Sequence, residues 1–107
     1  MIAVDLRRTV PARHVDFDVV QSGAGEPGDF HYLTGRFDAD VGIALACPGC
    51  GRPSYLPLAD SASEGPRWTR TPGPVATITL SPSIHHTPDL GGCGWHGYLT
   101  AGSFAPC

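Results

Sequence analysis

Residues 42–51, GIALACPGCG, join a short apolar run to a closely spaced pair of cysteines. A continuous apolar run of this length, bounded by turn residues, is typical of a buried β-strand. The turn that follows carries Cys47 and Cys50, with Gly51 directly after them, which is the pattern of a zinc knuckle. The stretch therefore predicts a buried strand that ends in a metal site.

Strand-type periodicity extends over most of the chain on both sides of this stretch. Apolar and polar residues alternate in HVDFDVV (14–20) and ATITLS (76–81), and no segment of ten residues has a helical period. We predict strands at about 2–7, 14–21, 30–36, 40–46, 53–58, 66–71, 75–81, 96–100 and 103–106. Loops are predicted at about 21–29 and 60–66. The predicted fold class is all-β, a mostly antiparallel small sandwich or barrel stapled by a zinc site.

The composition limits both the size and the partners of this fold. The 107 residues suit a single domain, with N-terminal strands in 1–40 and a motif-bearing part in 41–107. The net charge is −3 and the seven basic residues are scattered, so we expect no nucleic-acid partner. No apolar stretch is long enough to span a membrane, and the N-terminus lacks the apolar run of a signal peptide. We therefore expect a cytoplasmic protein, in which cysteines bind metal more often than they form disulfides. The composition does not predict an oligomeric state.

The candidate ligands for a tetrahedral zinc ion outnumber its four positions: they are Cys47, Cys50, Cys93, His96 and Cys107. A two-residue turn at 101–102 would place Cys107 directly opposite His96 in a hairpin, so that either side chain could reach the metal. We favour the four cysteines, because a cysteine at the matching hairpin position is otherwise unexplained. Such a closed shell makes the Zn²⁺ structural, since no position is left for water. A redox CxxC and a catalytic zinc with an open position are the alternatives.

A serine and a histidine could supply the chemistry that a structural metal does not. The segment LSPSI (80–84) carries Ser81 and Ser83 on either side of a proline, which stiffens the backbone. A serine nucleophile needs a neighbouring base, and His96 begins the strand that would close the metal site. His85 and His86 are adjacent, so they would point to opposite faces of a strand, although we expect both in a loop. If the serines only form a turn, the chain is a non-catalytic zinc-ribbon module that docks a protein partner.

Several segments, in this order and spacing, resemble a small bacterial and phage family of zinc-binding proteins: ACPGCG (46–51), YLPL (55–58), RW (67–68), VATITLSPSI (75–84) and CGWHGYLTAG (93–102). Members of that family occur in operons that encode a ubiquitin-like protein with E1-like and E2-like enzymes. The resemblance implies a serine-type peptidase that trims the ubiquitin-like precursor or removes the protein from its conjugates.

The resemblance also implies roles for particular residues. It places the nucleophile at Ser83, with Ser81 second, the base at His96, and metal ligands at Cys50 and Cys93. The implied partner is the C-terminal tail of a ubiquitin-like protein, or its conjugates. We expect a narrow cleft between the 75–84 strand and the final hairpin to admit that tail in an extended form. The scarce charge of this cleft favours binding by backbone pairing along a strand edge.

Overall fold

The computed structural model describes residues 7–34, 40–58 and 67–107. Its helix and strands, in chain order, are β1 (Val10–Pro11), β2 (Arg13–His14), α1 (Phe17–Gln21), β3 (Asp29–Thr34), β4 (Asp40–Ala46), β5 (Pro53–Pro57), β6 (Thr69–Arg70), β7 (Leu80–Ser81), β8 (Ile84–His85), β9 (His96–Thr100) and β10 (Ser103–Pro106). Two short 3₁₀ turns lie at Val75–Thr77 and Pro88–Leu90. None of the helices in these residues has the length and apolar character needed to cross a membrane.

The strands form two four-stranded sheets and one two-stranded ribbon. The first sheet has the order β1-β10-β9-β8, the second β2-β3-β4-β5, and the ribbon is β6-β7. Pairing between neighbouring strands is antiparallel except between β2 and β3. One hydrophobic core contains side chains from both large sheets, among them Val10, Phe30, Leu45, Leu56, Ile84, Leu99 and Phe104. The all-β, mostly antiparallel fold class is therefore confirmed, and its form is a sandwich.

The apolar run at 42–46 lies in a central strand of the second sheet. β4 lies between β3 and β5, and residues 42–46 are all buried, as the apolar run predicts. Ile43 and Leu45 enter the core, while α1 packs on β3 and β4. β4 then leads directly into Cys47, which is itself buried.

The predicted strand at 14–21 is wrong over most of its length. The short strand β2 pairs with β3, and residues 17–21 then form α1. Alternation over so few residues does not separate a strand from one turn of helix, because Phe17 and Val20 also have helical spacing. Burial of Val20, which is 1% exposed, favours the helix.

Other predicted boundaries move by smaller amounts. The predicted strand at 75–81 is a 3₁₀ turn followed by β7, although Ile78 and Leu80 are buried as their alternation predicts. The loop at 21–29 is shorter, because Gln21 ends α1 and Asp29 begins β3. The loop at 60–66 and nearly all of the strand at 2–7 lie outside the described residues.

The predicted hairpin at the end of the chain is confirmed in its register. Thr100 pairs with Ser103 and Leu99 with Phe104, and the Cys107 amide donates a 3.0 Å hydrogen bond to the His96 carbonyl. Ala101 and Gly102 have φ angles of +47° and +82°, the left-handed conformation that a two-residue hairpin turn requires. A side chain at Gly102 would lie 2.3 Å from the carbonyl oxygen of Ala76, so only glycine fits there.

Candidate active site and metal centre

The pairing of β8 with β9 places three polar side chains on one exposed face of the first sheet. His85 lies directly opposite His96, and Ile84 lies opposite Gly97. Because side chains alternate along a strand, Ser83 shares the face of His85 and is the diagonal neighbour of His96. His85 and His96 are exposed and Ser83 is partly exposed. A large substrate can therefore reach all three.

Ser83 and His96 lie within hydrogen-bond distance of each other. The separation between Ser83 Oγ and His96 Nε2 is 3.1 Å. A base at this distance can take the proton of a serine hydroxyl when the oxygen attacks a carbonyl. Ser81 lies in β7, opposite Thr69, and makes no hydrogen bond to a histidine within the described part of the chain. The structure thus brings the first serine candidate to the predicted base and leaves the second apart.

Two neighbouring rings hold this pair in place. Trp68 donates a 3.2 Å hydrogen bond from Nε1 to the Ser83 carbonyl, and its own amide donates to Pro57 at 2.8 Å. His85 stacks on His96 with ring centroids 4.7 Å apart and an angle of 27° between the rings. The serine backbone and the plane of the imidazole are therefore both fixed by contacts.

Three of the predicted metal ligands lie together. The sulfur atoms of Cys47, Cys50 and Cys93 are all within 4.8 Å of one another, and those of Cys47 and Cys93 are 3.6 Å apart. The Gly49 amide donates to the Cys47 sulfur at 3.4 Å, and the Gly51 amide to the Cys47 carbonyl at 2.8 Å. These contacts form the tight turn of a metal-binding knuckle, and the three cysteines can hold a metal ion.

Burial makes the sulfur of Cys47 a poor thiolate unless a cation is near. Burial, as the largest cause, raises the pKa of this thiol to about 12. A metal cation reverses that preference, because it stabilises the thiolate directly and displaces the proton. The buried sulfur and its two sulfur neighbours therefore suit a thiophilic ion.

A further histidine, which the sequence predicts in a loop, lies beside this cluster. His86 Nδ1 is 2.9 Å from the Cys47 sulfur, and its Nε2 is 3.4 Å from Ser54 Oγ. Burial, followed by the charge of His85, lowers the pKa of the His86 imidazole, which favours the neutral form that a metal ligand needs. The sequence indicates only that these adjacent histidines point to opposite faces of a strand. The structure shows that His85 faces His96 and that His86 faces Cys47.

The choice of Cys107 as the fourth ligand does not agree with the structure. Cys107 is exposed and lies outside the cysteine cluster, although its position opposite His96 in the hairpin is as predicted. The physical reason is the same alternation, since residues paired across a hairpin share a face. His96 is on the exposed face, so Cys107 is too, and His96 itself lies outside the metal group.

Replacing Cys107 with serine should therefore leave the metal content and the thermal stability unchanged. Replacing Cys93 with serine should lower both, because its sulfur lies within the cluster. Elemental analysis and melting curves of the two variants, prepared in parallel, measure the difference. Loss of metal in Cys107→Ser would instead support the prediction that all four cysteines bind the metal.

Comparison with known proteins identifies a family to which this chain is similar. A family model described as bacterial ubiquitination-like system serine protease (BubE) matches residues 20–107, which is more than half of the chain. The matched segment contains Ser83, His96 and the three clustered cysteines. No curated protein and no solved structure matches the chain.

Proposed function

The chain belongs to the BubE family of bacterial ubiquitination-like system serine proteases, and on that premise we propose that it trims a bacterial ubiquitin-like precursor or releases that protein from its conjugates. The observation that carries the proposal is the 3.1 Å contact between Ser83 and His96 on an exposed sheet face. The substrate is the C-terminal tail of the ubiquitin-like protein, because a macromolecule can present an extended tail to such a face.

The reaction follows from the position of the two side chains. Ser83 Oγ attacks the carbonyl carbon of the scissile bond, and its proton passes to His96 Nε2. His96 then gives this proton to the leaving amine as the C–N bond breaks. A water molecule, deprotonated by His96, hydrolyses the acyl-serine ester, which releases a carboxylate and restores the serine. Backbone N–H groups that face the developing oxyanion typically contribute about 3 kcal/mol each.

The metal in this proposal is a structural Zn²⁺. Cys47, Cys50 and Cys93 would hold it, with His86 as the nearest further donor, and three sulfurs with one imidazole form a common tetrahedral set. Bound there, the ion supplies a cross-link between the 47–50 turn and the chain just before β9. The cysteines and His86 lie apart from the face that carries Ser83, so the serine and His96 perform the chemistry.

Incubation with a ubiquitin-like precursor tagged at both ends tests the function. We expect one new carboxyl terminus, identified by mass spectrometry, and no cleavage by Ser83→Ala with its zinc content retained. Cleavage that survives Ser83→Ala but stops with a chelator, in protein that stays folded, would indicate a zinc hydrolase. An absence of cleavage by the native chain would contradict the proposal and favour a non-catalytic module that docks a protein partner.

Loss of the tryptophan hydrogen bond to Ser83 should weaken catalysis. Trp68→Phe keeps an aromatic ring but removes the Nε1 donor to the Ser83 carbonyl. A hydrogen bond contributes about 1 kcal/mol, so we expect kcat to fall by up to about tenfold while KM stays the same. Steady-state kinetics measure both constants. A change in KM alone would mean that Trp68 contacts the substrate instead.

A further inference from the structure

The free edge of β8 carries two backbone groups that point away from the sheet. The Cys107 amide donates to the His96 carbonyl, so the backbone groups of His96 face β10. In an antiparallel pair, successive residues direct their backbone N–H and C=O groups alternately toward and away from the partner strand. Ile84 is paired with Gly97, and the His86 amide donates to the Trp95 carbonyl, so the backbone groups of Ile84 and His86 face β9. The N–H and C=O of His85 therefore face outward. β8 is the last strand of its sheet, and neither of these groups has a backbone partner among residues 7–34, 40–58 and 67–107.

A groove runs beside this edge. The expected location, between 75–84 and the final hairpin, is wrong, because β8 pairs directly with β9 there. The volume of the groove is about 230 Å³. It is lined by His85 and His86, by Pro53 and Ser54 at the start of β5, and by Cys47 and Cys50 of the cysteine cluster. The groove is smaller than the roughly 300–1,000 Å³ of small-molecule pockets. Its size suits one or two residues with small side chains better than a bulky ligand.

The rim of the groove bears an exposed apolar side chain. Leu90 lies on the 3₁₀ turn before Gly91 and is 85% exposed. The Arg52 guanidinium donates a hydrogen bond to the Gly91 carbonyl, which fixes this turn against the cysteine knuckle. Leu90 therefore lies at the rim of the groove, on a turn that the Arg52 hydrogen bond fixes.

We infer that this groove binds the substrate tail as an added strand, with its main chain paired to the N–H and C=O of His85 and a side chain against Leu90. The inference rests on the proposed function. A strand rises about 3.3 Å per residue, so His85 lies roughly 7 Å along the chain from Ser83, which directly precedes β8. A tail paired to His85 therefore reaches the serine hydroxyl within two residues. Specificity follows from the groove: residues with small side chains near the scissile bond are accepted and bulky ones are excluded.

Backbone pairing is tested by a titration that needs no hydrolysis. The ¹⁵N-labelled Ser83→Ala protein is titrated with the peptide Ala-Ala-Gly-Gly and with versions N-methylated at one amide each. We expect amide shifts at His85 and Leu90, slower hydrogen exchange at His85, and about tenfold weaker binding for one N-methylated peptide. Shifts confined to other parts of the chain, or equal binding of all the peptides, would overturn the inference.

Kinetics with the tagged precursor separate the groove from the active site. Leu90→Ala should raise KM about tenfold and leave kcat unchanged. Val75→Ala is the matched control, since Val75 is also a partly exposed apolar residue on a 3₁₀ turn but does not line the groove. If Ser83 is required for cleavage and Leu90→Ala has native constants, the groove inference fails and the proposed function stands. If the native chain cleaves nothing, the proposed function fails, and the titration alone decides about the groove.

Discussion

Replacement of His96 by alanine should lower kcat for precursor cleavage by about 10²–10⁴-fold, the usual contribution of a positioned general base. His96 accepts the proton of Ser83 across 3.1 Å, and without it the hydroxyl is a weak nucleophile. Its side chain is exposed at the start of β9, so the stability of the fold should change little. Single-turnover kinetics and melting curves measure the two effects separately.

The chain offers a matched control for this variant. His14 is also exposed and stacks on another histidine, His31, at a centroid distance of 4.9 Å, but it lies in the second sheet. His14→Ala should therefore cleave at the native rate. A native rate in His96→Ala, or an equal loss in both variants, would remove His96 from the reaction.

Removal of the metal should unfold the described sandwich. Structural zinc contributes about 10–16 kcal/mol in small zinc domains at neutral pH, whereas whole domains are stable by only about 5–15 kcal/mol. Cys47→Ser and Cys50→Ser should each lose the metal and the cooperative melting transition, because each removes a sulfur from the cluster. Circular dichroism and elemental analysis of the purified variants provide the measurement.

The metal experiment has its own control in the fourth cysteine. Cys107→Ser removes a thiol that is exposed and outside the cluster, so its melting curve should match that of the native chain. A native melting curve in Cys50→Ser would contradict a stabilising metal at this site. Native stability after chelation would contradict it equally.

The sequence predicts an element best when its pattern of residues fits only one local structure. The run at 42–46 is apolar throughout, so it can only be buried, and it forms β4. The Ala101-Gly102 turn fixes the hairpin register, and that register places His96 opposite Cys107. The segment 14–21 has two solutions, because its alternation also fits one turn of helix. Packing of Val20 selects between them, and packing is not visible in a local pattern.

The candidate site follows the same rule. The contact between Ser83 and His96 depends on the pairing of β8 with β9, which joins residues distant in sequence and which the motif alone cannot specify. Alternation along a strand also sends His85 to the exposed face and His86 to the cysteines. The sequence shows that these two histidines diverge, but not which partner each one meets. The sequence likewise does not show that Cys107, the predicted fourth ligand, lies outside the cysteine cluster.

The metal group and the serine–histidine pair occupy opposite sides of the β8–β9 pair. His86 lies beside the buried sulfur of Cys47, while Ser83 and His96 lie on the exposed face. Cys93 is three residues before His96. An ion bound by the cluster would therefore fix the start of β9 from the face opposite to that of His96. This arrangement explains how a small fold rich in turns holds a serine and a base in register.

Labelling with a fluorophosphonate, which phosphonylates an activated serine hydroxyl and releases fluoride, tests whether Ser83 is the nucleophile. We expect one adduct per chain, mapped by peptide mass spectrometry to Ser83, and a large loss of labelling rate in His96→Ala. An adduct at Ser81, or no adduct on folded protein that contains metal, would contradict it.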